Sequence, residues 1–456
     1  MNWMLCSVLG YVLAQLVFGF VVSRKIRSEA DYLVAGRSLG LGLSVFTVFA
    51  TWFGAETCIG ATAQAYGAGL WGVTADPFGY AVCLLVFGAL LAVPMWKRKL
   101  TTLADLFRER YGALPERVVV VLLVPTSVMW AGAQIRAFGQ VLGATSELAL
   151  TSSITIAAAV VIVYTAMGGM LADALADFAQ GLVLLFGLVM MLVLMIASGD
   201  VETALTQHQG TVLGHAATAS GLELLEAWSV PVLGSLVAQE LVGRVVAARS
   251  PEIARKGTLI AAAMYLATGL IPVLVGLVAA RLLPGVEPEQ VLVHQAARYF
   301  PGFARVIFLG ALVSAILSTV DSALLAAGSL SAHNLVLPLM GDVSETRKVR
   351  INRWAVTFFG VIAYGLALST QGVYALVEEA SAFGTAGVVV CVMFGLFTEF
   401  GGTRAALASL ATGILVYLTG QHALHWPQPF LASLLAATLA YLAGAFSELS
   451  AARSSP

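Results

Sequence analysis

Stretches of about 20 apolar residues with almost no charge recur along the whole chain, and at about 1.5 Å per residue each can cross a hydrocarbon layer about 30 Å thick as one helix. A water-soluble domain cannot absorb so much apolar surface. Of the 456 residues, 59% are hydrophobic and 11% charged, where soluble domains carry about a quarter charged residues. The chain therefore reads as one all-α polytopic bundle embedded in a lipid bilayer. Its net charge of −1, with basic residues in short clusters beside helix ends, offers nucleic acid no extended basic face. Cys6, Cys58, Cys83 and Cys391 lie inside apolar stretches without metal-ligand spacing and read as small core residues. Met1 to Phe20 lacks a basic leader and runs straight into Ser23, Arg24, Lys25 and Arg27, so it is expected to be a first span that stays attached.

Apolar length, Gly/Pro punctuation and charge clusters place about thirteen helices, at 2–22, 42–65, 73–95, 118–145, 151–168, 175–198, 228–249, 257–281, 303–333, 352–370, 375–399, 403–420 and 429–446. Of the 24 basic residues, 20 then fall on one side of the membrane, among them Arg24 to Arg37, Lys97 to Arg117, Arg244 to Lys256 and Arg347 to Arg353. Arg281, Arg298 and Arg305 fall on the other side and Arg136 within a span. Because positive residues collect on the cytoplasmic face, this split predicts a multi-pass protein of the cell (inner) membrane with its N-terminus outside and C-terminus inside. The outer loop from Gly199 to Glu226 has four acids and no Lys or Arg.

Backbone polar groups cannot be left unpaired in lipid, so an interrupted helix is tolerated only where it lines a cavity or is buried in protein. Two segments have that character: Phe49 to Gly60, which brings Glu56 and two threonines into a span, and Ser229 to Glu240, five helices later. The spacing predicts two inverted five-helix repeats, each opening with a broken helix, with a solute site between them at mid-membrane. Close helix packing is the alternative use of such glycines, but it does not require Glu56 beside them.

The chain resembles the sodium/solute symporters. The resemblance rests on Tyr32 to Gly40 (YLVAGRSLG), Ala50 to Gly69, Leu103 to Gly112 (LADLFRERYG), Tyr164 to Gln180 (YTAMGGMLADALADFAQ) and Val313 to Ser322 (VSAILSTVDS). Ala50-Thr51-Trp52, Pro77-Phe78-Gly79-Tyr80 and the last of these motifs are most similar to the choline-carrier branch. Membership implies an extra N-terminal helix at 2–22, a first inverted repeat at 42–198, a second at 228–399 and two peripheral helices at 403–446, working by alternating access.

A dehydrated sodium ion needs about five or six oxygens. The resemblance implies the carbonyls of Ala50 and Phe53, with Ala315 and the hydroxyls of Ser318 and Thr319. Their spacing alone puts Ala315, Ser318 and Thr319 on one helix face, where hydroxyls also have the option of bonding back to their own helix. Asp177 and Asp321 are intramembrane acids, suited to a second cation site or to coupling. Ala176 replaces the hydroxyl common beside that acid, so one coupled sodium is preferred. For the solute, Trp52, Tyr80 and Trp130 match aromatics of the choline carriers' site, and rings attract a quaternary ammonium by cation–π interaction. Ala238 and Val377 stand where two further tryptophans would be, and Glu56 departs from the branch. Glu56 and Gln239 are the polar candidates beside the rings, with Gln134, Arg136, Glu378 and Glu379 as weaker ones. Choline or a related quaternary amine leads, with a proline-type amino acid as the alternative. His422 and His425 lack the third ligand a metal site needs.

No nucleophile and base are clustered, no phosphate-binding loop appears, and the ten residues after Phe446 hold no soluble domain, which argues against an enzyme or a sensor. The sequence shows no sign of an obligate protein partner. A passive channel remains the remoter rival, since broken polar helices also line pores.

Overall fold

The computed structural model describes residues 26–454 except 147, 207–219 and 371, together with Gly10, Leu13, Val17, Val21 and Arg24. Most of the expected span at 2–22, Cys6 and residues 207–219 of the outer loop therefore lie outside the described residues. Among the described residues the architecture is helical throughout, with no strand and one isolated backbone bridge, Leu39 to Ala248.

Among the described residues nine helices are long and apolar enough to cross a membrane, or eleven when each of two bent pairs counts as one span. This count does not test the expected thirteen, because most of the span at 2–22 lies outside the described residues and two other expected spans are counted differently. The helix Leu41–Trp52 is short because its span is broken, and the helical stretch Glu56–Lys97 runs through interruptions at Gly69 and Asp76. Elsewhere the elements start earlier than apolarity predicts. Ala113–Thr145, Met170–Ala197, Pro251–Leu282 and Glu345–Ser369 carry polar first turns that extend beyond the apolar stretch.

Each helix sorts its residues by solvent. On Met170–Ala197 the side chains of Leu182, Phe186, Val189, Val193 and Ile196 are exposed at helical spacing, the stripe a lipid tail contacts. The opposite face packs on Leu41–Trp52 and on Gly302–Ser331. Gly302–Ser331 is almost wholly buried between Met170–Ala197 and Ala113–Thr145, while Pro251–Leu282 covers both halves of the first broken helix. The first interrupted segment is thus enclosed by protein, and the Ala55 N–H freed there finds a side-chain partner in Gln134.

Among the described residues three further interruptions stand out besides those at Gly69 and Asp76. The first stops where Phe53 leaves helical geometry (φ −90°, ψ 66°) and restarts as a π-helical turn, Glu56–Gly60, a local widening common at functional sites. The second bends by 48° between Gly221–Val237 and Gln239–Val246. The third, which the sequence reading missed, bends by 46° between Val373–Ala382 and Thr385–Phe397. Its signal was Phe383-Gly384, where the glycine takes φ +68°.

Candidate functional site

At the first break Gln134 reaches across from Ala113–Thr145, and its Oε1 accepts the Ala55 N–H at 2.9 Å. Its amide nitrogen donates to Glu56 Oε2. One side chain thereby satisfies the opened backbone and fixes the acid. Thr319, on Gly302–Ser331, lies against the same break, with Oγ1 3.1 Å from the Ala50 carbonyl oxygen and 3.2 Å from that of Ala315. A Cβ on Gly54 would collide with Thr319 Oγ1 and lie 2.9 Å from both Gln134 Oε1 and Glu56 Oε2, so position 54 has room for hydrogen alone.

Of the expected sodium ligands, Ala50, Ala315 and Thr319 are brought together. Phe53 sits at the break itself, its N–H bonded to the Phe49 carbonyl at 2.8 Å. Ser318 turns elsewhere and donates to Asp177 Oδ1, whose Oδ2 accepts the Thr47 hydroxyl at 2.6 Å. Asp321 is not part of this group and accepts the Thr165 hydroxyl. Arg244, assigned above to a cytoplasmic cluster, is buried instead. Its guanidinium donates to Asp173, Ser322 and, at 2.9 Å, Thr51. A buried cation is tolerable there because a carboxylate and hydroxyls compensate it.

Trp52 ends the first half of the broken helix, Tyr80 opens the helix Tyr80–Val86, and Trp130 lies midway along Ala113–Thr145. Their rings converge, with centroids 5.3 Å apart for Trp52–Tyr80 and for Trp52–Trp130 and 6.3 Å for Tyr80–Trp130. A small enclosed cavity is lined by Trp52 and Trp130 together with Thr51, Thr319, Glu240 and Ala323. The aromatic cluster therefore abuts the Thr319 oxygen group. The Tyr80 hydroxyl is 3.1 Å from that of Ser381, which accepts from Ser235 at 3.2 Å, so all three interrupted spans meet here.

Gln239 does not line this cavity. Its Oε1 accepts the Leu103 N–H at 2.6 Å, and its side chain borders a neighbouring cavity with Arg244, Ser322 and Ser329. The next residue, Glu240, lines both cavities. Sequence reasoning gave Glu240 no role, although an acid just past the second break mirrors Glu56 just past the first. Asp76 was also missed: its carboxylate accepts the Thr57 and Tyr265 hydroxyls, each at 2.8 Å, one turn before Tyr80. Of the weaker candidates, Arg136 stands 3.8 Å from Glu289, and Glu378 and Glu379 line open cavities away from the rings. His422 Nε2 lies 3.6 Å from Glu379, and no His, Cys, Asp and Glu cluster able to hold a metal ion occurs among the described residues.

Interrupted helices here meet at an oxygen group beside an aromatic cavity, an arrangement of the kind secondary transporters use to hold an ion and a solute. The chain belongs to the sodium:solute symporter family, whose model matches residues 32–413. It is a sodium-coupled membrane symporter of a small molecule and not an enzyme. The high-affinity choline transporter 1 of Caenorhabditis elegans is 26% identical over 433 residues, covering 87% of this chain and 73% of that protein. The Homo sapiens high affinity choline transporter 1 is 27% identical over 432 residues, covering 90% and 74%. Among solved structures, a Na+-coupled sialic acid symporter in a substrate-bound outward-open state superimposes with a TM-score of 0.83 at 17% identity, covering 97% of each chain. That likeness shows the fold, a bundle built on two inverted repeats.

Proposed function

We propose that the protein imports a small organic cation together with one sodium ion, the class to which choline, named for the relatives above, belongs. The observation that carries this is the contact between the Thr319 oxygen group and the cavity walled by Trp52 and Trp130. The sodium ion is held by the carbonyls of Ala50, Phe53 and Ala315 and the hydroxyl of Thr319, with the Ser318 hydroxyl joining them when it leaves Asp177. Trp52, Tyr80 and Trp130 attract the solute cation, Glu56 neutralises it, and Gln239 borders its route through the adjoining cavity. An amino acid of the proline type fits less well, because its carboxylate would enter a site already containing Glu56, Asp76 and Glu240.

The repeats run over 42–198 and 228–399, with 403–446 peripheral, and exchange access around the fixed site. Asp177 couples the ion to the packing of Thr47 and Ser318, and Asp321 supports the Arg244 cluster. The protein resides in the cell membrane with its N-terminus outside and C-terminus in the cytoplasm, the side that collects the basic residues. Purified protein in liposomes should accumulate labelled choline or another amine above its outside concentration only when an inward sodium gradient is imposed. Equilibration without accumulation would make the protein a channel.

A further inference from the structure

Two acids of the site proposed above each keep an oxygen without a hydrogen bond, which one ammonium group does not answer, and we infer that its solute is a small organic cation with N–H donors at two ends, of which an α,ω-diamine is the simplest member. The inference rests on the aromatic cavity being the solute site.

Three buried carboxyl groups lie near the rings: Glu240 lines their cavity, Glu56 neighbours Trp130, and Asp76 stands one turn before Tyr80. Asp76 has both oxygens occupied by hydroxyls. The other two do not. Glu56, 1% exposed, and Glu240, 8% exposed, each have an oxygen, Oε1, without a well-formed hydrogen bond, with Trp130 the neighbouring donor of Glu56 and Ser127 that of Glu240. Glu240 faces the cavity of Trp52 and Trp130 directly. Arg244, one turn further along, directs its donors to Asp173, Ser322 and Thr51 instead. The Trp52 indole N–H is likewise buried without an acceptor. An unpaired carboxylate oxygen in a dry interior keeps its full desolvation cost until a donor arrives.

The placement of the two acids gives the length-wise arrangement. Each lies just past the break of its helix, and helices that open inverted repeats run in opposite directions. Residues just past the two breaks are therefore carried toward opposite ends of the aromatic cluster. A quaternary ammonium can be attracted by the rings but has no N–H to give either oxygen. A primary ammonium has three, and charge-assisted bonds to carboxylate are the strong ones. A diamine gives one ammonium group to each acid and lays its methylenes over the indoles.

Binding to full-length protein in detergent, read by thermal shift and by competition at fixed sodium, tests this with 1,4-diaminobutane, butylamine and choline as probes. We expect the diamine to bind at least about tenfold more tightly than either monocation, and Glu240→Gln and Glu56→Gln each to abolish that advantage. Glu240→Asp, which keeps the charge, should retain part of it, and size-exclusion profiles show which variants fold. Choline or butylamine binding as well as the diamine, or an unchanged ratio in a folded Glu240→Gln protein, would overturn the inference while leaving the cation reading in place. A solute bound equally well by Trp52→Ala would instead remove the aromatic cavity as the site.

Discussion

The Thr319 hydroxyl has one hydrogen and two carbonyl neighbours, those of Ala50 and Ala315, at nearly equal distance. A cation seated among these oxygens takes over that hydrogen's task and leaves the hydroxyl as a ligand. Ser318→Ala combined with Thr319→Ala should therefore raise the sodium concentration for half-maximal uptake by at least about tenfold, since each lost oxygen contact is worth roughly 1 kcal/mol. Unchanged sodium dependence would remove the site. Trp52→Ala should weaken amine binding by about 10- to 30-fold, the equivalent of up to about 2 kcal/mol of cation–π attraction, measured by isotope competition. Thr319 was legible from its i, i+4 relation to Ala315, and Trp52 from its motif. The Ser318 bond to Asp177 was not, because its partner lies 141 residues away on another helix.

At the scale of elements, the second break depends on a close approach. Gly234 faces the Ser381 carbonyl so closely that a Cβ would overlap it. Gly234→Ala should leave expression largely intact but depress transport severely, as the bend of one interrupted span is pushed off another, and uptake normalised to surface protein checks this. On the helix Leu103–Tyr111, outside the spans, Asp105 closes a capping box with Thr102 and accepts the Thr101 and Thr102 amides at 2.7 and 3.0 Å and Asn334 Nδ2 at 2.8 Å. Burial alone would raise its carboxyl, but its bond and charge contact with His333 and these amides outweigh burial and hold it at about 2. A depressed acid stabilises the fold fully above its ordinary value near 4 and loses that contribution as pH falls from about 4 toward 2. Thermal unfolding of the wild type should therefore lose on the order of 2 kcal/mol over that interval, a loss that Asp105→Asn should no longer show.

For the whole molecule, the buried ion cluster of Arg244 with Asp173, beside Asp177 and Asp321, lies within the packed junction of Met170–Ala197, Gln239–Val246 and Gly302–Ser331. These three helices come from both proposed repeats, so the cluster ties together the parts that alternating access must move. Arg244→Lys should reduce maximal uptake more than apparent solute affinity, because one ammonium cannot replace a guanidinium that serves Thr51, Met170, Asp173 and Ser322 together. Initial-rate measurements over a range of solute concentrations separate the two effects.

By itself the sequence determined that this chain lives in lipid, that its helices are interrupted near Phe53 and again near Gly234, and which motifs mark it as a sodium/solute symporter. Those are properties of composition, local backbone chemistry and short spacing, all readable along one dimension. Only the tertiary structure decided that Gln134 caps the first break, that Arg244 is buried, and that Glu240 rather than Gln239 faces the aromatic cavity. Each of these depends on which helix faces cross in space, and in a bundle apolar almost throughout the hydrophobic pattern does not specify which face meets which partner.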